Sequence, residues 1–178
     1  TLLTTHVVKK PWGVLAPKFA AAHGCNQRIG ELHFLSPPQL NDLLVKFIFS
    51  SESLSVQVHP SDEQAQRLGH GRSGKDECWL VTDAAEDARV AIGLNQSLDI
   101  ADLRSAALDG RIEEYLQWHP AKRGSFFYIP AGTIHAIGGG IELIEVQKNS
   151  DLTYRLYDYG RGRDLHVEEA LSVAYPHA

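Results

Sequence analysis

The chain has 178 residues, 43% hydrophobic content and a net charge of −5, which fits one compact domain with a full core. Acidic and basic residues are scattered, so no basic stripe indicates nucleic-acid binding. No stretch approaches the ~20 apolar residues that span a bilayer, and the N-terminus lacks the long apolar core of a secretory signal. We therefore expect a single domain over residues 1–178, located in the cytoplasm, with a small-molecule partner and no contact with membrane or nucleic acid.

The two cysteines, Cys25 and Cys78, do not indicate a disulfide framework. Cys78 lies in an apolar run beside Trp79, where a thiol usually acts as a small hydrophobic side chain.

Short apolar runs separated by turn residues recur along the chain. They predict strands over 29–35, 44–49, 54–59, 78–82, 88–94, 125–129, 140–147 and 152–158. Many short strands at this spacing favour a β-sandwich or barrel over alternating βαβ units.

Helical patterns interrupt the strands. Ser61 follows a proline and caps a short helix that runs to about Leu68. Apolar residues at helical spacing predict helices over about 99–108 and 112–117, which together form a helical insertion at about 99–118. A closing helix is expected over 167–174, with Leu171 on its inner face.

The strand predicted over 54–59 has two different faces. Leu54, Val56 and Val58 form its apolar face, and Ser55, Gln57 and His59 form its polar face. For this segment alone, a half-exposed strand with its polar face in water is an equally good interpretation.

Two further residues turn His59 into a candidate metal ligand. Glu77 stands where a glycine turn leads into an apolar strand, and His135 follows a Pro-Ala-Gly turn that redirects the chain. Two imidazoles and one carboxylate suit zinc, and three protein ligands leave a position for water or substrate. The same set would also accept iron, manganese or nickel.

Arg155 is the second candidate, because it interrupts an otherwise apolar strand. A buried, unpaired guanidinium is very costly, so it needs a carboxylate, a phosphate or a developing anion. The functional interpretation is one of the last two. The structural alternative is an ion pair with Asp151 or Glu145.

Glu145 lies on the same side of its strand as Gln147. It is a candidate proton relay whose pKa would be tuned by burial and the metal, or else a carboxylate that holds Arg155 in place. Lys75, two residues before Glu77, is placed for a phosphate. As an isolated lysine, it would more often be a solvated surface residue.

Four ordered motifs resemble one family, the type I mannose-6-phosphate isomerases. They are Gln57-Val58-His59-Pro60, Gly74-Lys75-Asp76-Glu77-Cys78-Trp79, Tyr128-Ile129-Pro130-Ala131-Gly132-Thr133-Ile134-His135-Ala136 and Asn149-Ser150-Asp151-Leu152-Thr153-Tyr154-Arg155-Leu156-Tyr157-Asp158. The similarity runs from Lys10-Pro11-Trp12-Gly13 to about Ala170. It implies a cupin-type jelly-roll β-barrel with zinc inside, and interconversion of mannose 6-phosphate and fructose 6-phosphate.

The resemblance also implies roles for individual residues. The zinc ligands would be His59, Glu77 and His135, with Gln57 as a fourth ligand in some members. One Zn²⁺ per chain is expected. The catalytic set would be Arg155, Glu145 and Lys75, and the residues that bind the phosphorylated sugar would be Lys75, Asp151, Ser55 and Gln57.

The chain departs from the family pattern in two ways. His33 stands where a tryptophan is usual, and family members commonly continue into further β-structure, which leaves a homo-oligomer open. A non-catalytic, metal-containing sugar-binding or regulatory cupin is therefore an alternative. An isomerase of another sugar is a second alternative.

Overall fold

We analysed a computed structural model that describes residues 2–15, 27–71 and 73–175. Within these ranges the strands are β1 (Thr5–Leu15), β2 (Arg28–Phe34), β3 (Leu43–Ser50), β4 (Val56–Val58), β5 (Glu77–Ala84), β6 (Arg89–Leu94), β7 (Leu116–Pro120), β8 (Phe126–Ile129), β9 (His135–Ile137), β10 (Ile141–Lys148) and β11 (Tyr154–Tyr157). The helices are α1 (Asp62–Arg67), α2 (Ile100–Asp109) and α3 (Val167–Val173), with 3₁₀ turns at Pro38–Leu40 and Arg111–Tyr115.

The strands form two antiparallel sheets. The six-stranded sheet has the order β1-β2-β3-β10-β5-β8, and the five-stranded sheet has the order β11-β4-β9-β6-β7. Strands that are distant in sequence lie side by side, such as β10 between β3 and β5. This arrangement confirms the predicted jelly-roll barrel with a helical insertion and a C-terminal helix.

Two apolar clusters lie on opposite faces of the five-stranded sheet. One lies between the sheets and contains Trp79 and Leu143 from the larger sheet and Val90 from the smaller. The other lies between the smaller sheet and the helices, and it contains Val56 and Leu103. Each layer therefore buries one face against its neighbour.

This layering corrects the expectation for strand β4. Val56 and Val58 are fully buried in the cluster under α2 and α3, so the strand is not half-exposed. Its polar face is turned into the barrel, where Ser55 and His59 are also buried. Leu54 precedes the regular strand and packs in the cluster between the sheets, away from the two valines.

Three strands were not predicted, and one predicted helix is wrong. Strands β1, β7 and β9 were missed, and β9 has only three residues, so its pairing rather than its composition defines it. The helix expected over 112–117 is a 3₁₀ turn that ends at Tyr115. Leu116 then enters β7, which pairs with β6. Tertiary pairing overrides local helical preference here.

The three α-helices follow their sequence signals. Ser61 and Gln64 form a reciprocal capping box at the start of α1. Asp99 caps α2, and Gly110 ends it in the left-handed conformation. None of the helices in the described ranges has the length and hydrophobicity needed to span a bilayer.

One of the two cysteines, Cys25, lies outside the described residues. The thiol of Cys78 is free.

Candidate metal centre and active site

The three residues predicted as metal ligands meet inside the barrel. His59 follows β4, Glu77 begins β5 and His135 begins β9, and none is more than 2% exposed. One potential ligand atom from each residue lies within 4.8 Å of the other two. The cluster therefore joins both sheets at one point in the barrel interior.

The Nδ1 atoms of both imidazoles form hydrogen bonds with backbone carbonyls. His59 Nδ1 lies 2.8 Å from the carbonyl oxygen of Leu152, and His135 Nδ1 lies 2.8 Å from that of Thr133. Only a protonated nitrogen can donate to a carbonyl, so each Nδ1 carries the proton and each Nε2 keeps its lone pair.

Burial keeps both imidazoles neutral. It lowers the pKa of His59 to about 3, with a further contribution from the positive charge of Lys75. It also lowers the pKa of His135, against the attraction of Glu77. Neutral imidazoles with free Nε2 lone pairs are the form that binds metal ions.

Glu77 supplies the anionic donor. Its Oε1 lies 3.2 Å from His59 Nε2, and its Oε2 lies 3.7 Å from His135 Nε2. Neither oxygen accepts a hydrogen bond of normal geometry from the described residues. A buried carboxylate with unsatisfied oxygens beside two lone pairs is a donor set that fits a cation. The cluster could therefore hold a metal ion.

Lys75 is the nearby positive charge. Its Nζ lies 2.7 Å from Glu77 Oε1 and 3.3 Å from His59 Nε2. Burial would raise the pKa of Glu77, but Lys75, His59 and His135 together outweigh it and hold that pKa well below the usual range. Lys75 is only 5% exposed, so the alternative of a solvated surface lysine is wrong.

Gln57 lies against the same cluster. Its Nε2 is 3.4 Å from His59 Nε2 and 3.3 Å from His135 Nε2, while Ser55 Oγ donates to its Oε1 at 3.1 Å. Rotating the amide by 180° would present Oε1 to the two imidazoles, and the hydroxyl of Ser55 could then accept a hydrogen bond from the amide nitrogen. Ser55 can therefore form a hydrogen bond with the Gln57 side-chain amide in either orientation.

Arg155 lies on β11, the strand that pairs with β4 beside Gln57. On the five-stranded sheet, Gln57 is the register partner of both Arg155 on β11 and His135 on β9. The Nε of Arg155 is buried and has no hydrogen-bond partner among the described residues. Burial lowers the pKa of Arg155, as does the nearby positive charge of Arg163.

The structural alternative for Arg155 is not observed. In the described ranges, its guanidinium forms no ion pair with Asp151 or Glu145. Asp151 is exposed in the segment before β11.

Glu145 has different partners from those expected. Lys46 Nζ lies 2.8 Å from its Oε1, and Trp79 Nε1 donates to its Oε2 at 2.8 Å. The idea that Glu145 holds Arg155 in place is therefore wrong. Burial raises the pKa of Glu145, as does the charge of Glu77, against the opposing charges of Lys46 and Lys75.

Sequence reasoning missed Lys46 and Trp79 as parts of this site. A signal was present for Lys46, because alternation along the apolar run of β3 places it on the same face as the buried Ile48. The sequence of β3 does not show that the partner of Lys46 is Glu145 on β10.

An antiparallel double-sheet barrel that gathers two histidines and a glutamate inside is typical of the cupin class, and this cluster could hold a metal ion. No model of a known protein family matches the sequence. Among curated proteins, the chain is 43% identical over 137 residues to mannose-6-phosphate isomerase ManA of Bacillus subtilis, covering 74% of this chain and 43% of that protein. It is 41% identical over 150 residues to mannose-6-phosphate isomerase of Streptococcus mutans, covering 80% and 46% respectively.

Solved structures agree with these relatives. The crystal structure of mannose 6-phosphate isomerase from Bacillus subtilis superposes with a TM-score of 0.86 and 29% identity, covering 99% of this chain and 69% of that one. A mutant phosphomannose isomerase from Salmonella typhimurium shares the fold at a TM-score of 0.71 and 13% identity, covering 97% and 73%. Over 74–80% of its own length the chain is thus similar to mannose-6-phosphate isomerases, which supports membership of the type I family. It spans less than half the length of the curated relatives it matches.

Proposed function

We propose that the protein is a zinc-dependent aldose-ketose isomerase that interconverts mannose 6-phosphate and fructose 6-phosphate. The observation that carries the proposal is the buried His59–Glu77–His135 cluster, with neutral imidazoles and an ionised carboxylate whose only close donor in the described residues is the ammonium of Lys75. The reaction is that of the mannose-6-phosphate isomerases to which the chain is similar.

Zinc is the proposed ion, one per chain. Its tetrahedral preference for nitrogen and oxygen donors matches two imidazoles and one carboxylate, with Gln57 as a fourth donor or a neighbour of the open position. When bound, the ion supplies a Lewis acid that polarises the sugar oxygens at C1 and C2.

The isomerisation moves a proton between C1 and C2, and we assign that transfer to Glu145. Its raised pKa suits a group that both accepts and donates a proton. Lys75 lies beside the cluster, where its ammonium can donate to a sugar oxygen.

Arg155 would neutralise negative charge on the substrate. Its guanidinium is held partly buried without a carboxylate partner in the described part of the chain, so a substrate anion would satisfy it. Ser55, Gln57 and Asp151 complete the proposed sugar-binding set. The single-domain organisation and the cytoplasmic location stay predictions, and the free thiol of Cys78 is compatible with a reducing compartment.

The experiment combines metal analysis with turnover. Purified protein should contain about one zinc per chain and form fructose 6-phosphate from mannose 6-phosphate. A chelator should abolish the activity, and added zinc should restore it. A panel of other hexose and pentose phosphates tests the choice of sugar. Bound metal without turnover of any sugar phosphate would contradict the enzyme and favour a binding protein.

A further inference from the structure

A lysine that the proposed reaction does not use lies buried beside the proposed proton relay. Lys46 is 8% exposed, and its Nζ is 2.8 Å from Oε1 of Glu145, which is 2% exposed. Burying an ammonium is costly unless it serves a nearby anion. The pair is therefore a built feature of the barrel interior.

The strand register brings Lys46 and Glu145 together. Glu145 on β10 is the direct register partner of Lys46 on β3 and of Trp79 on β5. Directly opposed residues on neighbouring strands point to the same side of the sheet. Lys46 and Trp79 thus approach the carboxylate from opposite sides, and Trp79 Nε1 donates to Oε2 at 2.8 Å. Oε2 accepts a hydrogen bond and Oε1 faces the Lys46 ammonium in an ion pair, so the orientation of the carboxylate is constrained.

The two flanking residues connect Glu145 to different parts of the molecule. The ring of Trp79 lies edge-on to the ring of His135, with centroids 5.6 Å apart, next to the metal cluster. On the other side, Lys46 Nζ is 3.9 Å from Glu31 Oε2, and Glu31 is itself paired with Lys10 at 3.1 Å. Glu31 therefore also restrains the ammonium group of Lys46.

We propose that Lys46 is a positioning residue for the isomerisation: together with Trp79 it holds the carboxylate of Glu145 in the orientation that transfers the substrate proton. This inference rests on the proposed function. Lys46 acts through Glu145 and does not itself contact the sugar.

The charges around Glu145 decide the expected pH behaviour. Glu77 at the start of β5 and Lys75 just before that strand act on Glu145 through their charges. Lys46 on β3 pairs with Glu145, and Glu31 lies next to Lys46. Burial and Glu77 raise the pKa of Glu145, while Lys46 and Lys75 oppose them. Removing Lys46 should raise this pKa further, so the acidic limb of the kcat/KM profile should move to higher pH.

The test compares Lys46→Met with Lys46→Arg and with Lys10→Met as a matched control. Lys10→Met also removes an ion pair with a buried glutamate, but that glutamate is Glu31. We expect Lys46→Met to lower kcat about 10- to 100-fold, with little change in KM or zinc content. Lys46→Arg should recover part of the loss, and Lys10→Met should keep the wild-type pH profile. An unchanged kcat and acidic limb in Lys46→Met would overturn the proposal.

A stability cycle gives a readout that does not depend on turnover. The losses in unfolding midpoint of Lys46→Met, Glu145→Gln and the double variant should be non-additive, since each single change already breaks the same ion pair. Additive losses would overturn the proposal even in an active enzyme. A metal-loaded wild type that turns over no sugar phosphate would instead remove the proposed function, while a non-additive cycle would still establish the positioning contact.

Discussion

Glu77 and Glu145 face the same barrel interior from neighbouring strands, yet their pKa values are shifted in opposite directions. Burial would raise both, but Lys75 and the two histidines of the cluster hold the pKa of Glu77 well below its usual range, whereas the pKa of Glu145 is raised by burial and by Glu77 itself. Two carboxylates whose pKa values are shifted in opposite directions suit two different tasks. The ionised one suits a metal, and the one with the raised pKa suits proton transfer.

Replacing His135 with alanine should remove the metal. The variant loses one of two neutral imidazole donors, so its zinc affinity should fall by more than the about 10- to 100-fold seen when only an outer partner of a ligand is lost. Zinc content after dialysis and calorimetric titration measure this effect. His119→Ala, a half-buried histidine on β7, is the control and should keep full occupancy. Equal zinc content in the two variants would remove His135 from the ligand set.

Gly132→Ala should destabilise the protein and loosen the metal site. Gly132 has a φ of 85°, and an added Cβ would lie 2.4 Å from the ring of Tyr175. Its backbone also donates to the carbonyl of His59 and accepts from Tyr175, each at 2.8 Å. We expect a loss of about 1–2 kcal/mol from the backbone conformation and a smaller further loss from displacing the exposed ring of Tyr175.

Gly162→Ala is the matched control for that substitution. Its φ is 73°, but nothing lies within 4 Å of an added Cβ. It should therefore lose only the backbone contribution and keep its zinc affinity. Denaturant unfolding of both variants checks the difference, and equal losses would show that the Tyr175 contact is unimportant.

Glu31 should make the folded state sensitive to acid. Burial opposes ionisation, but His33, Lys46 and Lys10 outweigh it and hold the pKa of Glu31 well below the usual range. The unfolded chain therefore takes up this proton at higher pH than the folded one. The stabilisation is complete above about pH 4.3 and is lost below it, by about 1.4 kcal/mol per pH unit.

Unfolding free energies measured at several acidic pH values test this expectation. Glu31→Gln should flatten the dependence below about pH 4.3. Glu86→Gln, at an exposed position, should keep the wild-type slope. An identical slope in wild type and Glu31→Gln would show that the ion pairs around Glu31 do not persist in solution.

Arg155→Met should separate activity from stability. If the guanidinium meets a substrate anion, kcat/KM should fall about 100- to 1000-fold, while zinc content stays the same. Stability should change little, because no carboxylate among the described residues pairs with the side chain of Arg155. Arg104→Met breaks a surface pair with Glu168 and should keep full activity. Full activity in Arg155→Met would exclude its assigned role.

Local patterns in the sequence determined much of the architecture. Alternation with a period of two placed Gln57 and His59 on one face of their strand, and turn residues separated the eight predicted strands. The cap at Ser61 and the helical spacing after Asp99 located two helices correctly. The motifs around His59, Glu77 and His135 also selected the residues that meet in the barrel.

Only the tertiary structure decided which of these residues act on one another. A strand pattern shows which side chains point inward, but it does not specify the neighbouring strand, because that choice depends on non-local pairing. Glu145 meets Lys46 rather than Arg155, since β10 lies between β3 and β5. Strand β9 has three residues, too few for a period, and its pairing with β4 brings His135 to Gln57. Thus the inward-facing groups could be read from the chain, whereas their partners were set by strand order and register.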